Sequence, residues 1–371
     1  MLYSYGLTTF QAQGLGTSYS FCDTCMQVLS LKFDQTSFLK NNEYNNGYAQ
    51  GYTGIGFFMK PTLQYYFTPR TRVNFGIYLL KYSGINQFTQ SIPAFTVTHR
   101  LSKAVDIIMG NINGTLFHQL EEPIYRFDQY YRQNMEYGLQ VLVHPSGFYM
   151  DTWLDWKRFI FKNDPFQELL QWGTRMNIDL FRSDDFQMRL PIQWLMYHRG
   201  GQIDLSPDPI LTVFNGGAGL DLVYDLKPNH SLSISPFFFI FRELSLVETG
   251  TSQLKFGRGN AMYLKLKYEQ PKIEAMLGYW RGYQFLAPYG EFLFQSASEF
   301  DPNISQKNRQ LLTGKFYYKY KPSSSIRLEL RLDAYYDIIK RVQDHAVSLF
   351  IVIDDDFFIT QIKKQERHSE Q

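Results

Sequence analysis

Apolar and polar residues alternate with a period of two along most of this chain. In the stretch Ile326–Asp333, Ile326, Leu328, Leu330 and Leu332 alternate with Arg327, Glu329, Arg331 and Asp333. Successive side chains of a strand point to opposite faces, so one face here is wholly aliphatic and the other wholly charged. Met188, Leu190, Ile192, Trp194 and Met196 alternate mostly with Gln187, Arg189 and Gln193, and Met176, Ile178 and Leu180 with Arg175, Asn177 and Asp179. The same holds for Phe148, Met150, Leu154 and Trp156 against Asp151, Asp155 and Lys157, and for Met262, Leu264, Leu266 and Tyr268 against Lys265 and Lys267. Strands of this kind separate a dry side from a wet side.

The connections carry a second pattern. Tight turns are predicted at 68–71, 101–103, 144–147, 182–185, 227–230, 269–272 and 321–324, each joining two alternating stretches into a hairpin. Longer, mostly polar connections lie between them, at about 84–91, 114–133, 160–170, 200–212, 245–257, 286–310 and 338–345, with one more at about 35–53. Seven hairpins give fourteen strands; one at about 26–34 precedes them and one at about 346–354 follows, for a total of sixteen (14 + 2). The predicted fold is all-β: a single closed antiparallel transmembrane β-barrel with short periplasmic turns and long extracellular loops. The domain reading is an N-terminal periplasmic segment 1–25, the barrel 26–356 and a polar C-terminal tail 357–371.

Composition agrees. Of 371 residues 17% are aromatic and only 19% charged, while mean hydropathy is −0.30 and no window is apolar enough for a membrane helix. Tyr65, Tyr82, Tyr137, Trp156, Trp194, Tyr224, Tyr268, Tyr279 and Tyr320 fall mostly near predicted strand ends, where an interfacial girdle sits. A net charge of +2 gives no basic field for nucleic acid. A soluble propeller or sandwich is the competing fold, but no blade-length repeat is present. Cys22 and Cys25 read as a local disulfide or two free thiols, not as a zinc site. Met1 to Gly16 shows neither a basic n-region nor a continuous apolar h-region. That absence is discounted, since a mature or trimmed chain reads the same way.

Over roughly 26–354 the chain resembles a Gram-negative outer-membrane porin-like barrel, of the aromatic-rich kind found in Bacteroidota. The resemblance rests on architecture and marks a class. One departure stands out: such barrels commonly end on an aromatic residue, whereas Phe350, Phe357 and Phe358 are followed by the polar stretch Thr360 to Gln371. The resemblance implies the outer membrane, a lipid surrounding, and a passive or weakly selective channel for small polar solutes. Other outer-membrane proteins or further copies of the chain are its implied neighbours. A structural or assembly subunit with a filled lumen is the alternative, and an enzyme acting at the barrel rim a third.

Candidate pore-lining residues are Arg175, Asp179, Arg189, Asp221, Lys265, Lys267, Arg327, Glu329, Arg331 and Asp333, since water must reach so many charges. The 114–133 loop is too aromatic for a solvated connection. In the porins the chain resembles, the third long loop folds inward, which makes Glu121, Glu122, Arg126, Asp128 and Arg132 a candidate constriction. Enzyme readings are weak. Adjacent His230 and Ser231 would point to opposite faces of a strand. Asp354-Asp355-Asp356 lacks calcium-loop spacing, Asn215 to Gly219 is no phosphate loop, and the histidines show no metal-ligand pair. No catalytic group, metal or cofactor is expected, and the chain reads as a protein that is not an enzyme.

Overall fold

The computed structural model describes residues 15, 19–245 and 250–362. Most of the expected N-terminal segment and the last nine residues of the expected tail lie outside these. The alternating stretches form β1 (Val28–Glu43), β2 (Tyr52–Thr68), β3 (Thr71–Tyr82), β4 (Gln90–Ser102), β5 (Val105–Asn111), β6 (Tyr137–Val143), β7 (Phe148–Arg158), β8 (Glu168–Arg182) and β9 (Phe186–Gly200). They continue through β10 (Leu211–Gly219), β11 (Asp221–Lys227), β12 (His230–Glu243), β13 (Arg258–Glu269), β14 (Ile273–Tyr283), β15 (Asn308–Tyr320), β16 (Ile326–Asp337) and β17 (Val342–Gln361). β10 and β11 both pair with β9 and with β12, so they are two pieces of one barrel strand interrupted at Leu220. Seventeen segments thus make sixteen barrel strands (17 − 1), all antiparallel to their neighbours. β1 pairs with β17 from Val28↔Gln361 to Glu43↔His345, which closes the sheet and removes its edges.

All seven tight turns fall where the sequence placed them. The differences lie at the seam. β1 runs on to Glu43, because its polar end is bonded across the sheet, Thr53 Oγ1 donating to Asn41 Oδ1. The last outer connection is only 338–341. β17 continues past the expected end of the barrel through the aspartate run to Gln361, Asp354 pairing with Lys32 at 3.3 Å.

Burial inverts the usual rule. On β16, Glu329, Arg331 and Asp333 are buried while Leu330 and Leu332 are exposed, at 37% and 41%. Leu264 and Leu266 are likewise exposed, and Met176, Ile178, Met188 and Leu190 share the outward faces of their strands. An aliphatic surface turned outward around the barrel is the face that lipid covers. The crossing is made by strands, as in outer-membrane proteins of Gram-negative bacteria.

Sixteen strands leave an aqueous channel unless something plugs it. Here two loops enter. Residues 112–136 carry a short 3-10 turn at Thr115–His118 and the single turn α1 (Gln129–Arg132). Residues 284–307 bring Phe285, Leu293 and Phe294, all fully buried. The inward side of β12 matches them: Ser231, Ser233 and Ser235 toward the periplasm, then Phe237, Phe239 and Phe241 beside the second loop. At the periplasmic mouth the disulfide-closed segment Tyr19–Cys25 lies against β2–β5. Arg72 donates to the Ser20 carbonyl at 3.1 Å, and the Arg100 guanidinium stacks 4.4 Å from the Phe21 ring and pairs with Asp23.

Candidate functional site

The 112–136 loop is tied to opposite sides of the wall. On the β1–β2 side, Lys40 pairs with Asp128 at 2.7 Å, Thr36 bonds Tyr130 at 2.9 Å, and Tyr52 bonds Asp128 and Tyr131. Opposite, Lys265 on β13 pairs with Glu121, and Lys315 on β15 with Glu122. Tyr335 on β16 donates to Glu122 at 2.8 Å. Gln193 on β9 accepts the Glu121 backbone N–H at 2.8 Å, and Arg175 on β8 donates to Gln119. Arg126 and Arg132 stack on Phe292 and Tyr52 instead, 4.5 and 4.8 Å from the ring centres.

His118 anchors the loop to β7. Its Nδ1 meets Asp151 at 2.7 Å and its Nε2 meets Glu136 at 3.0 Å, while its ring stacks on Trp153 at 3.4 Å. Burial opposes a charge on this ring, but the Asp151 and Glu136 carboxylates outweigh it and hold the pKa up, at about 9. Both nitrogens are engaged by carboxylates and the side chain is fully buried, so His118 is a brace rather than a proton carrier. Glu291, in the second loop, is pushed the other way: burial, with Asp128 and Glu122 nearby, raises its pKa to about 7.

Of the candidate pore-lining residues, Glu329, Arg331 and Asp333 point inward but are buried, Glu329 with Arg331 Nε beside it at 4.0 Å. Arg331 stacks on Phe127 at 3.9 Å, and Asp333 accepts from Tyr317 at 3.1 Å. Arg327 donates to the Leu15 carbonyl at 3.1 Å. Arg175, Asp221, Lys265 and Lys267 surround a cavity of about 70 Å³ with Gln193, Ser233 and Ser235. Arg189 stands beside Asp221 in register, and Asp179 is exposed at the periplasmic rim. A second cavity of about 150 Å³ lies between Lys32, Lys60, Arg72, Asn74 and Tyr130. The interior charges are therefore largely neutralised by one another and by the loop, rather than by bulk water. That is the condition under which buried charges persist.

Several histidines face the other way: His99 and His230 toward the periplasmic end and His345 and His198 toward the extracellular end, with His99 Nδ1 3.0 Å from Thr71 Oγ1. His198, near the extracellular end of β9, points outward and lies in register with Thr212 on β10. Its Nδ1 is 2.9 Å from Thr212 Oγ1, and both residues are partly exposed. Glu168 shares this face, opposite Gly200 and one pleat from the histidine. Below lies an aromatic floor, Trp172 on Trp194 at 5.1 Å and Trp194 on Phe214 at 6.1 Å. A hydroxyl bonded to an imidazole is a nucleophile–base arrangement. Its position at the outer girdle gives it access to lipid rather than to the lumen.

The family model for lipid A 3'-O-deacylase-type proteins matches residues 23–362. The chain belongs to that family. The sequence reading of a protein that is not an enzyme is thereby corrected, since this deacylase-type family is named for an enzyme activity. The pair that sequence spacing missed, His198 and Thr212, is separated by a ten-residue loop and meets only through strand register. No curated protein matches the sequence. Among solved structures, the deacylase-type chain is similar to OprD of Pseudomonas aeruginosa, with a TM-score of 0.53 and 10% identity over 92% of this chain and 99% of that one. It is also similar to OccAB1 of Acinetobacter baumannii, with a TM-score of 0.52 and 11% identity over 91% and 100%. At such identity the likeness shows a shared outer-membrane barrel fold, and the porin-like class stands on that.

Proposed function

We propose that this protein removes an ester-linked acyl chain from a lipid A-type glycolipid in the outer leaflet, acting from the lipid-facing wall at the extracellular rim. The observation that carries this reading is the Thr212–His198 hydrogen bond on the outward face. Family membership supplies the substrate class. In this scheme Nδ1 of His198 accepts the Thr212 proton as Oγ1 attacks the ester carbonyl. The sugar alkoxide leaves with that proton, and an acyl-threonine remains. Water, deprotonated by His198, then releases the fatty acid and restores the hydroxyl.

The test is fatty-acid release from lipid A by the purified protein in detergent. His198→Ala and Thr212→Val should abolish it, and Thr212→Ser should retain it. A His198→Ala protein that folds and remains fully active overturns the assignment.

A second reading, a gated channel, is favoured by the two polar cavities on the periplasmic side of the 112–136 loop. It requires that loop to undock, and bilayer conductance tests it.

A further inference from the structure

Arg242, next to the end of β12, and Arg258, the first residue of β13, lie directly opposite each other in register. Both are exposed, and both belong to outward rows that are mostly apolar, Leu232, Ile234, Phe238 and Ile240 on one strand and Met262, Leu264 and Leu266 on the other. Like charges placed directly across a sheet repel. Neither arginine has a carboxylate within ion-pair distance among the described residues. Arginine on a lipid-facing wall is tolerated only near the interface, and two guanidiniums side by side there, with no ion pair among the described residues, form a site for an anion held at that depth.

The surroundings narrow the choice. Asn260 follows Arg258 on the same face and lies opposite Tyr283, which is also turned outward, with exposed Arg281 one pleat further along that strand, so neutral and cationic donors flank one side of the pair. Phe214, opposite Arg242, and the tryptophans beyond it flank the other with apolar surface. A ligand that fits is anionic at one end and apolar at the other.

We infer that Arg242 and Arg258 bind the phosphate of an outer-leaflet glycolipid, by paired guanidinium–phosphate hydrogen bonds. Thr212 accepts the backbone N–H of Leu244 at 2.7 Å, which puts the phosphate site one pleat from the His198–Thr212 pair on the same wall. The inference rests on the hydrolase reading only for what happens to the bound lipid, not for its capture.

The test is native mass spectrometry of the detergent-solubilised full chain with bis-phosphorylated lipid A, with its dephosphorylated form, and with inorganic phosphate. The phosphorylated lipid should be retained at least tenfold better than the dephosphorylated one. The Arg242→Gln/Arg258→Gln double variant should lose that preference, and high salt should weaken it. Arg258→Glu should abolish retention while raising the unfolding temperature, because it turns a repulsive cross-strand pair into an attractive one. A merely structural role for the arginines predicts no selective loss. Equal retention of both lipids, an unchanged double variant, or inorganic phosphate bound as well as the lipid overturns the inference. Retention without hydrolysis leaves this site standing and removes the hydrolase reading. Hydrolysis that ignores both arginines does the reverse.

Discussion

Glu122 is the point at which the plug can be loosened with one substitution. Its two carboxylate oxygens are both used, one by Lys315 and one by the Tyr335 hydroxyl at 2.8 Å, and its own backbone carbonyl accepts the Glu291 N–H at 2.9 Å. Glu122→Ala removes the first two contacts and leaves the third. Removing one partner of a buried ion pair costs about 3–5 kcal/mol, most of it the penalty of an uncompensated charge. Lys315 retains Asp333 at 3.7 Å, so the lower end applies, about 3 kcal/mol. At about 1.4 kcal/mol per factor of ten, the docked-to-undocked ratio of the 112–136 loop falls by about a hundredfold. Planar bilayer recordings should show wild-type protein closed and Glu122→Ala opening briefly, with an open probability about a hundred times higher. The variant must first show the heat-dependent gel shift of a folded barrel. A folded but silent Glu122→Ala protein, or a wild type that conducts steadily, refutes the view that these contacts seal the lumen.

Three further outcomes are expected. Leu330→Arg places a charge on the lipid face and should cost roughly 2–4 kcal/mol if it lies at the bilayer midplane, measured by folding into vesicles; unchanged folding contradicts the facing. The raised pKa of His118 means its charged brace is fully present below about pH 6.5 and is lost as pH rises through about 9. Amide protection of 112–136, corrected for intrinsic exchange, should therefore decline toward alkaline pH, and His118→Gln should flatten the decline. Gly173→Ala would set a methyl group 2.3 Å from the Trp153 ring, displacing it from His118. The cost should be about 1–3 kcal/mol by thermal unfolding, and an unchanged unfolding temperature counts against that packing.

The barrel was legible because facing and period are the same information. On β16 the alternation of leucine with arginine, glutamate and aspartate is already the assignment of lipid side and lumen side. The seven turns were legible through Pro, Gly, Ser, Asn and Asp, which bend the chain locally. Where local chemistry conflicted with pairing, the reading failed. Asp354 to Asp356 looks like a strand end, yet Lys32 on β1 holds Asp354 within the sheet. The 112–136 loop announced itself by its aromatics. The 284–307 loop carries the same signal in Phe285, Leu286, Leu293 and Phe294, but was read as an external polar connection. The candidate chemistry was the least legible. His118 finds Asp151 and Glu136 across separations of 33 and 18 residues, and His198 finds Thr212 through register alone. No spacing rule encodes either.

The most direct measurement is the mass spectrum of lipid A after incubation with the purified protein, set beside the same protein's conductance in a planar bilayer. The expected result is loss of one ester-linked acyl chain, abolished by His198→Ala, from a protein that passes no steady current. Intact lipid A together with a steady ionic current would contradict it and make this barrel a channel.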